Sequence, residues 1–285
     1  QIQNLLLSGV LVRVRPGAPY KRGYFMDLGL KSKKALVFGG SSGLGLAAAR
    51  SLAAEGAEIF LISRDQKKLN GARDEIKKDF GVSCEYACYD MTNSDEIDNF
   101  INNIKSSDFN ILINNTGGPP PSNTSNTKSD YWEKYINSII LNTIKVTDNL
   151  LDYMKENKWG RVITITSSGV VQPINDLLIS NTLRPAITGY MKTLSNEVSQ
   201  YGITVNTIMP GRILTNRTLQ VNQSKADKAG ISYEEAIDIS SSEIPIKRLG
   251  KPEEFGDVVC FLASEKASYI SGSNFRVDGG LIRSI

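Results

Sequence analysis

From Lys34 onward the chain alternates short apolar runs with longer amphipathic stretches, and that alternation leaves few folds open. The apolar runs are Ala35–Phe38, Glu58–Ile62, Cys84–Tyr89, Ile111–Ile113, Arg161–Ile165, Ile203–Met209 and Asn274–Val277. Between them lie helical patterns over Leu44–Ala54, through Lys67, Ile76 and Phe80, over Tyr131–Lys158, Leu177–Tyr201 and Lys251–Ala263. A strand buried on both faces reads as a continuous apolar run, and parallel strands need a crossover that is usually a helix. The expected architecture is a single doubly wound parallel sheet of about seven strands with helices on both faces, the Rossmann-type α/β class.

At 285 residues the chain can bury a full core, and neither an internal repeat nor a second domain is visible. A net charge of +3 is too small to suggest a nucleic-acid or polybasic membrane surface, and no apolar run is long enough to span a bilayer. The chain has no histidine, which removes Ser-His-Asp catalysis and imidazole metal sites; no metal is expected. Three cysteines cannot all pair, and Cys84, Cys88 and Cys260 read as small buried thiols of a reducing, cytoplasmic setting. Residues 1–26 contain no Asp or Glu and differ in character from the remainder of the chain. They read as a leader or extension outside the fold ahead of a start at Met26, or as a processed targeting segment, leaving 27–285 as the domain.

Two segments break the rhythm. Gly117–Lys128 is rich in Gly, Pro, Ser, Asn and Thr and reads as a loop. The polar stretch of about 216–242, with a weak helical pattern near Tyr233–Ile237, reads as a lid, because open α/β sheets bind ligands at the carboxyl ends of their strands. Arg212, Arg217 and Tyr233 are candidate substrate contacts, with a surface or packing role as the leading alternative for each.

The run Gly39-Gly40-Ser41-Ser42-Gly43-Leu44-Gly45 joins the first strand to the first helix. Glycines there allow backbone N–H groups to approach a pyrophosphate closely at a helix N-terminus. The turn resembles the TGxxxGxG fingerprint of the short-chain dehydrogenase/reductase family, with Phe38 in place of threonine. Asp90, Asn114-Asn115-Thr116-Gly117, Pro210-Gly211 with Thr215, Arg248-Leu249-Gly250-Lys251-Pro252 and Val277-Asp278-Gly279-Gly280 come after it in the family's order. The resemblance covers about residues 30–283. It implies a nicotinamide dinucleotide held by Gly39, Ser41, Ser42, Gly43, Leu44, Gly45, Ser63, Arg64, Asp90, Met91, Asn115, Thr116, Gly117, Arg184, Pro210, Gly211 and Thr215, a small-molecule substrate, and a homodimer or homotetramer. An acidic residue at the end of the second strand would bind ribose hydroxyls and repel a 2′-phosphate. Ser63-Arg64, with Lys67 and Lys68 one turn on, favours NADP(H) over NAD(H), although Asp65 adds an acid beside them.

The family's proton donor is the tyrosine of a YxxxK pair thirteen residues after a serine. Ser167 falls on the serine position, but the pair is replaced by Ser180 and Arg184. Ile139 stands where the family places an asparagine, with Asn142 three positions later. A serine hydroxyl is a far weaker acid than a phenol, and a guanidinium does not exchange its proton near neutral pH. Tyr190 reads as a packing residue and Asp176 as a helix-start charge. The run Ser180-Asn181-Thr182-Leu183-Arg184, with the Gly117-Gly118-Pro119-Pro120-Pro121 loop, resembles a divergent bacterial branch of oxidoreductases labelled 3-oxoacyl-carrier-protein reductase-like. Three functions stay open: an NADP(H)-dependent oxidoreductase using Ser167, Ser180 and Arg184; a non-catalytic NADP(H)-binding sensor or subunit; and a lyase or isomerase on the same fold.

Overall fold

A computed structural model describes residues 4–7, 10–13, 26–104 and 108–284. Seven parallel strands form one sheet: β1 (Lys34–Phe38), β2 (Glu58–Ser63), β3 (Cys84–Cys88), β4 (Ile111–Asn114), β5 (Gly160–Ile165), β6 (Ile203–Pro210) and β7 (Asn274–Val277). Their order across the sheet is β3-β2-β1-β4-β5-β6-β7. The order reverses between β1 and β4, which opens a crevice at their carboxyl ends.

Alternation within β1 sorts the core. Ala35 and Val37 face a layer built by helices α1 (Gly43–Ala54), α2 (Gln66–Phe80) and α9 (Pro252–Ala263), where they meet Ala48, Leu52, Ile76 and Phe255. Leu36 and Phe38 face the opposite layer, with Phe100, Val146 and Ile187. That layer contains α3 (Ser94–Ile104), α5 (Asn142–Glu156) and α6 (Leu178–Val198). Helix α3 is absent from the expected pattern although Ile97, Phe100 and Ile104 form its buried stripe.

Other departures from the expected elements bear on the site. The helix expected over Tyr131–Lys158 is α4 (Ser129–Ile136), a π-turn (Asn137–Leu141) and α5 in succession. The polar lid is a pair of helices, α7 (Asn216–Ala229) and α8 (Tyr233–Ser242), separated around Gly230 in the left-handed conformation. Thr215 caps the first and Ser232 the second. Cys84 and Cys260 are buried free thiols, whereas Cys88, expected inside, is exposed at the last position of β3. Burial lifts the Cys260 thiol to about 12 and the Cys84 thiol to about 11.

Ahead of the sheet, Asn4–Leu7 pairs antiparallel with Val10–Arg13 in a separate two-stranded sheet. The leader expectation for residues 1–26 otherwise falls almost wholly outside the described residues. Among the described residues no helix is long and apolar enough to cross a membrane.

Candidate active site

The glycine turn leaves β1 and enters α1 with Gly39 and Gly43 at φ of +60° and +58°. A Cβ on Gly45 would lie 2.3 Å from the Gly39 carbonyl oxygen and 2.8 Å from Asn115 Nδ2, so only glycine fits. Ser42 is the N-cap of α1, yet its side chain makes no capping bond and the first turn carries no acid. The N-terminal N–H groups of α1 are therefore not capped by a side chain and face the crevice with their positive potential, a cradle suited to a diphosphate. Ser41 Oγ donates to Ser63 Oγ at 2.8 Å, tying the turn to the end of β2.

Arg64 comes directly after Ser63 and is largely exposed, with a guanidinium nitrogen 3.9 Å from Asp90. Asp65 does not compete for that space. Its carboxylate accepts from Lys68 N at 3.0 Å as the N-cap of α2, a bond that also holds it below the usual carboxylate range. Asp90 turns one oxygen to Thr92 N at 2.9 Å, and Met91 beside it is buried. The chain thus brings Gly39 to Gly45, Ser63, Arg64 and Asp90 along one side of the crevice and Asn115, Thr116 and Gly117 along the end of β4.

Ser167 lies just past β5 and starts a short 3₁₀ turn in which its Oγ accepts from Gly169 N at 3.0 Å. Its own hydroxyl hydrogen is left free to donate. The amino end of α6 packs on this turn: a Cβ at Gly169 would fall 2.6 Å from Asn181 Oδ1 and 3.3 Å from Ser167 Oγ. Asn181 also brackets the loop before α6, accepting from Ile174 N and donating to Ile174 O. Ser180, its neighbour, is 6% exposed.

Arg184 lies one turn along α6 from Ser180 and is buried. Nη1 donates to Ile165 O at 2.7 Å and Nη2 to Gly117 O at 2.6 Å, so one guanidinium joins the ends of β5 and β4. Burial, and secondarily the charge of Arg217, bring it down to about 10. Even there it stays charged at neutral pH. Pro185 is next within α6, where it cannot supply the helical N–H that Asn181 O would accept.

Ile139 sits in the π-turn, 2% exposed and without a polar atom to offer. Asn142 is no substitute: its Nδ2 donates to Met91 O at 2.9 Å and its Oδ1 accepts from Ser94. Tyr190 projects elsewhere, donating to Asp148 at 2.6 Å in a groove of about 440 Å³ shared with Leu151 and Tyr201. Asp176 is exposed at φ +58°, and its carbonyl accepts from Ser122 N, tying the Gly117–Lys128 loop to the entry of α6.

The lid reaches the same loop. Arg217, in the first turn of α7, donates to Gly118 O at 3.1 Å and Pro119 O at 2.6 Å. Thr215 packs against the glycine turn, and Gly211 is closed against Asp278 at the sheet end. Arg212 instead bonds Ser240 O and Glu243, which anchors α8. Tyr135 of α4 is a half-buried phenol that burial, and next Tyr131, push above its ordinary range; nothing in its helical pattern separates it from a packing residue.

A sequence profile described as Enoyl-(Acyl carrier protein) reductase matches residues 39–282. The chain is 31% identical over 265 residues to the Bacillus subtilis oxidoreductase YvaG, spanning 91% of this chain and all of that protein. It is 30% identical to the Salmonella typhimurium 3-oxoacyl-[acyl-carrier-protein] reductase FabG, over 89% of this chain and 99% of the relative. Among solved structures, L-sorbose reductase from Gluconobacter frateurii complexed with NADPH and L-sorbose superposes with a TM-score of 0.86 at 32% identity, covering 91% of this chain and 100% of that one. With the sheet order, the glycine turn and these matches in agreement, the chain belongs to the short-chain dehydrogenase/reductase family of nicotinamide-dependent oxidoreductases.

Proposed function

We propose that this protein is an NADP(H)-dependent reductase of small carbonyl compounds, 3-oxoacyl-carrier-protein reductase-like in fold, whose acid is not the usual tyrosine. The observation that carries the reading is the seat of Arg184, held between the carbonyls of Ile165 and Gly117 one helical turn from Ser180. The residues fit the dinucleotide: a glycine-only cradle, an α1 N-terminus without a side-chain cap, and Arg64 with Asp65 turned away to cap α2. Gly39 to Gly45 would hold its diphosphate, Ser63 and Arg64 the adenosine ribose with its 2′-phosphate, and Asp90 with Met91 the adenine. Asn115 to Gly117, Arg184, Pro210, Gly211 and Thr215 would line its nicotinamide half. When bound, this group supplies the hydride.

The chain's own residues supply the rest. Hydride arrival at a carbonyl carbon builds negative charge on oxygen, which needs donors already in place. Ser167 offers its hydroxyl hydrogen because its lone pair is engaged by Gly169 N. Ser180 offers a second hydroxyl from the facing helix, and the charge of Arg184 offsets the oxyanion behind them. Neither serine releases a proton as readily as a phenol. The proton that completes the alcohol comes from water or from an acidic group of the substrate itself.

Residues 27–285 form the working unit in this reading, with 216–242 as its lid, and the protein is a homo-oligomer, as symmetric assembly is the rule for soluble oligomers. A non-catalytic dinucleotide-binding role is the second reading, favoured by buried Ile139 at the head of the family's proton path. Following NADPH absorbance over a panel of ketones, including 3-oxoacyl thioesters and hydroxyaryl ketones, decides between them. Turnover of one class supports the reductase. Tight NADPH binding with no turnover on any supports the binding protein.

A further inference from the structure

Arg217 is an arginine in the wrong place for the helix that carries it. It occupies the first turn of α7, where the helix dipole is positive and a cation is disfavoured, and no acid in that turn offsets it. Its side chain is engaged elsewhere: Nη1 and Nη2 reach across to the carbonyls of Gly118 and Pro119, fixing the guanidinium between the lid and the loop after β4. A guanidinium has five N–H donors, so two such bonds leave three for another partner.

Its surroundings place it along the dinucleotide crevice. The residue two positions earlier, Thr215, packs on the glycine turn, where a Cβ on Gly43 would meet Thr215 Cγ2 at 3.6 Å. Gly118, whose carbonyl Arg217 holds, directly follows Gly117, whose carbonyl accepts from Arg184 at the carboxyl ends of β4 and β5. Arg217 therefore reaches from beside the glycine turn to the loop after β4. The part of a dinucleotide that runs between those two places is its diphosphate.

We propose that Arg217 is a lid-borne ligand of the cofactor diphosphate, which faces the glycine turn on one side and this guanidinium on the other. The proposal rests on the dinucleotide reading above. It gives α7 a purpose that its polar sequence does not reveal: the cofactor would tighten α7 onto the loop after β4 that Arg217 already touches. The carbonyls of Gly118 and Pro119 orient the guanidinium, and its remaining donors and exposed flank meet the phosphates.

The test is binding, not turnover. Nicotinamide fluorescence on titration with NADPH, and competition by adenosine 2′-monophosphate, which has no diphosphate, are measured for the wild type, Arg217→Ala and Arg217→Gln. Arg217→Gln keeps hydrogen-bond donors to the two carbonyls but loses the charge. Both variants are expected to weaken NADPH by about ten- to a hundredfold, the worth of a charge-assisted contact, with adenosine 2′-monophosphate unchanged. Hydrogen exchange over residues 216–242 is expected to slow on NADPH addition in the wild type and to change little in either variant. Equal NADPH affinity in all three proteins overturns the proposal, as does an equal loss for both ligands, which marks a merely structural strut. Failure of the wild type to bind NADPH or NADH would instead remove the dinucleotide reading, and this role with it.

Discussion

Removing the guanidinium of Arg64 should cost NADPH affinity while sparing NADH, and the size of the effect is set by where that side chain lies. It is 72% exposed and its neighbour Asp90 is 3.9 Å away, beyond hydrogen-bonding range. A 2′-phosphate here meets a charge screened by water on most sides, so the contact is worth about 1 kcal/mol, the upper range for exposed pairs. That is a factor of about five in Kd. Arg64→Ala also leaves Asp90 as an uncompensated negative charge near the phosphate, so the total loss should approach about tenfold.

The assay is a fluorescence titration of wild type and Arg64→Ala with NADPH and with NADH at low and at moderate salt. The wild type should prefer NADPH, and salt should erode that preference, because an exposed contact is screened over a Debye length of about 8–10 Å. The variant should bind the two cofactors alike. A wild type that prefers NADH, or a variant that loses both cofactors in equal measure, would refute the assignment of Arg64 to the 2′-phosphate.

Gly45→Ala should abolish dinucleotide binding and lower the melting temperature, since the new methyl lies 2.3 Å from a backbone oxygen; about 2 kcal/mol of stability is at stake. Gly71→Ala, in the middle of α2 with nothing within 4 Å, should raise stability by about 1 kcal/mol in the same thermal melts and leave cofactor affinity alone. Glu254 is held down to about 2 by Arg248 and by Lys251 N, so the stability it contributes is complete above its ordinary value near 4.5 and fades as pH falls toward 2. Glu254→Gln should flatten acid denaturation across that window, and an unchanged acid limb would show the pairing to be idle. Restoring the family's pair with Ser180→Tyr and Arg184→Lys together should raise NADPH-dependent reduction of simple ketones by about a hundredfold or more, the usual worth of a placed general acid. No gain in a folded double variant would place the bottleneck elsewhere.

How much of this was legible in the sequence depends on whether a residue's partner is a side chain or a backbone. The strands were legible because burial on both faces writes itself as an apolar run, and the glycine turn because only glycine tolerates its spacing. Counting from Ser167 puts Ser180 and Arg184 on the positions of the family's pair, and the structure sets the two one turn apart on α6. Three things were not legible. Helix α3 has a clear stripe of Ile97, Phe100 and Ile104, but its polar positions resemble the loops around it. Helix α8 showed only as a weak pattern near Tyr233–Ile237, and α7 announces itself only through its cap, Thr215 with Thr218, a single bond in a polar stretch. Cys88 looked like Cys84 because alternation says which residues share a face, not how far along the strand the cover extends.

The hardest features to foresee are two buried arginines. Arg161 in β5 and Arg184 in α6 are both buried, and backbone carbonyls hold both: Ser264, Gly160 and Gly202 for the first, Ile165 and Gly117 for the second. Burial lowers each to about 10. A carbonyl leaves no charge in the sequence to pair with an arginine, so neither seat can be read by matching opposite residues. The distinction between them is where the charge is exposed to use. Arg161 stacks on Trp159 and closes the amino end of its strand, away from the crevice, and there it is a strut. Arg184 lies at the carboxyl ends of β4 and β5, one helical turn from Ser180. Carbonyls satisfy its hydrogen bonds without cancelling its charge, as a carboxylate partner would. On the reading proposed above, that charge is what would offset the alkoxide building on the substrate oxygen.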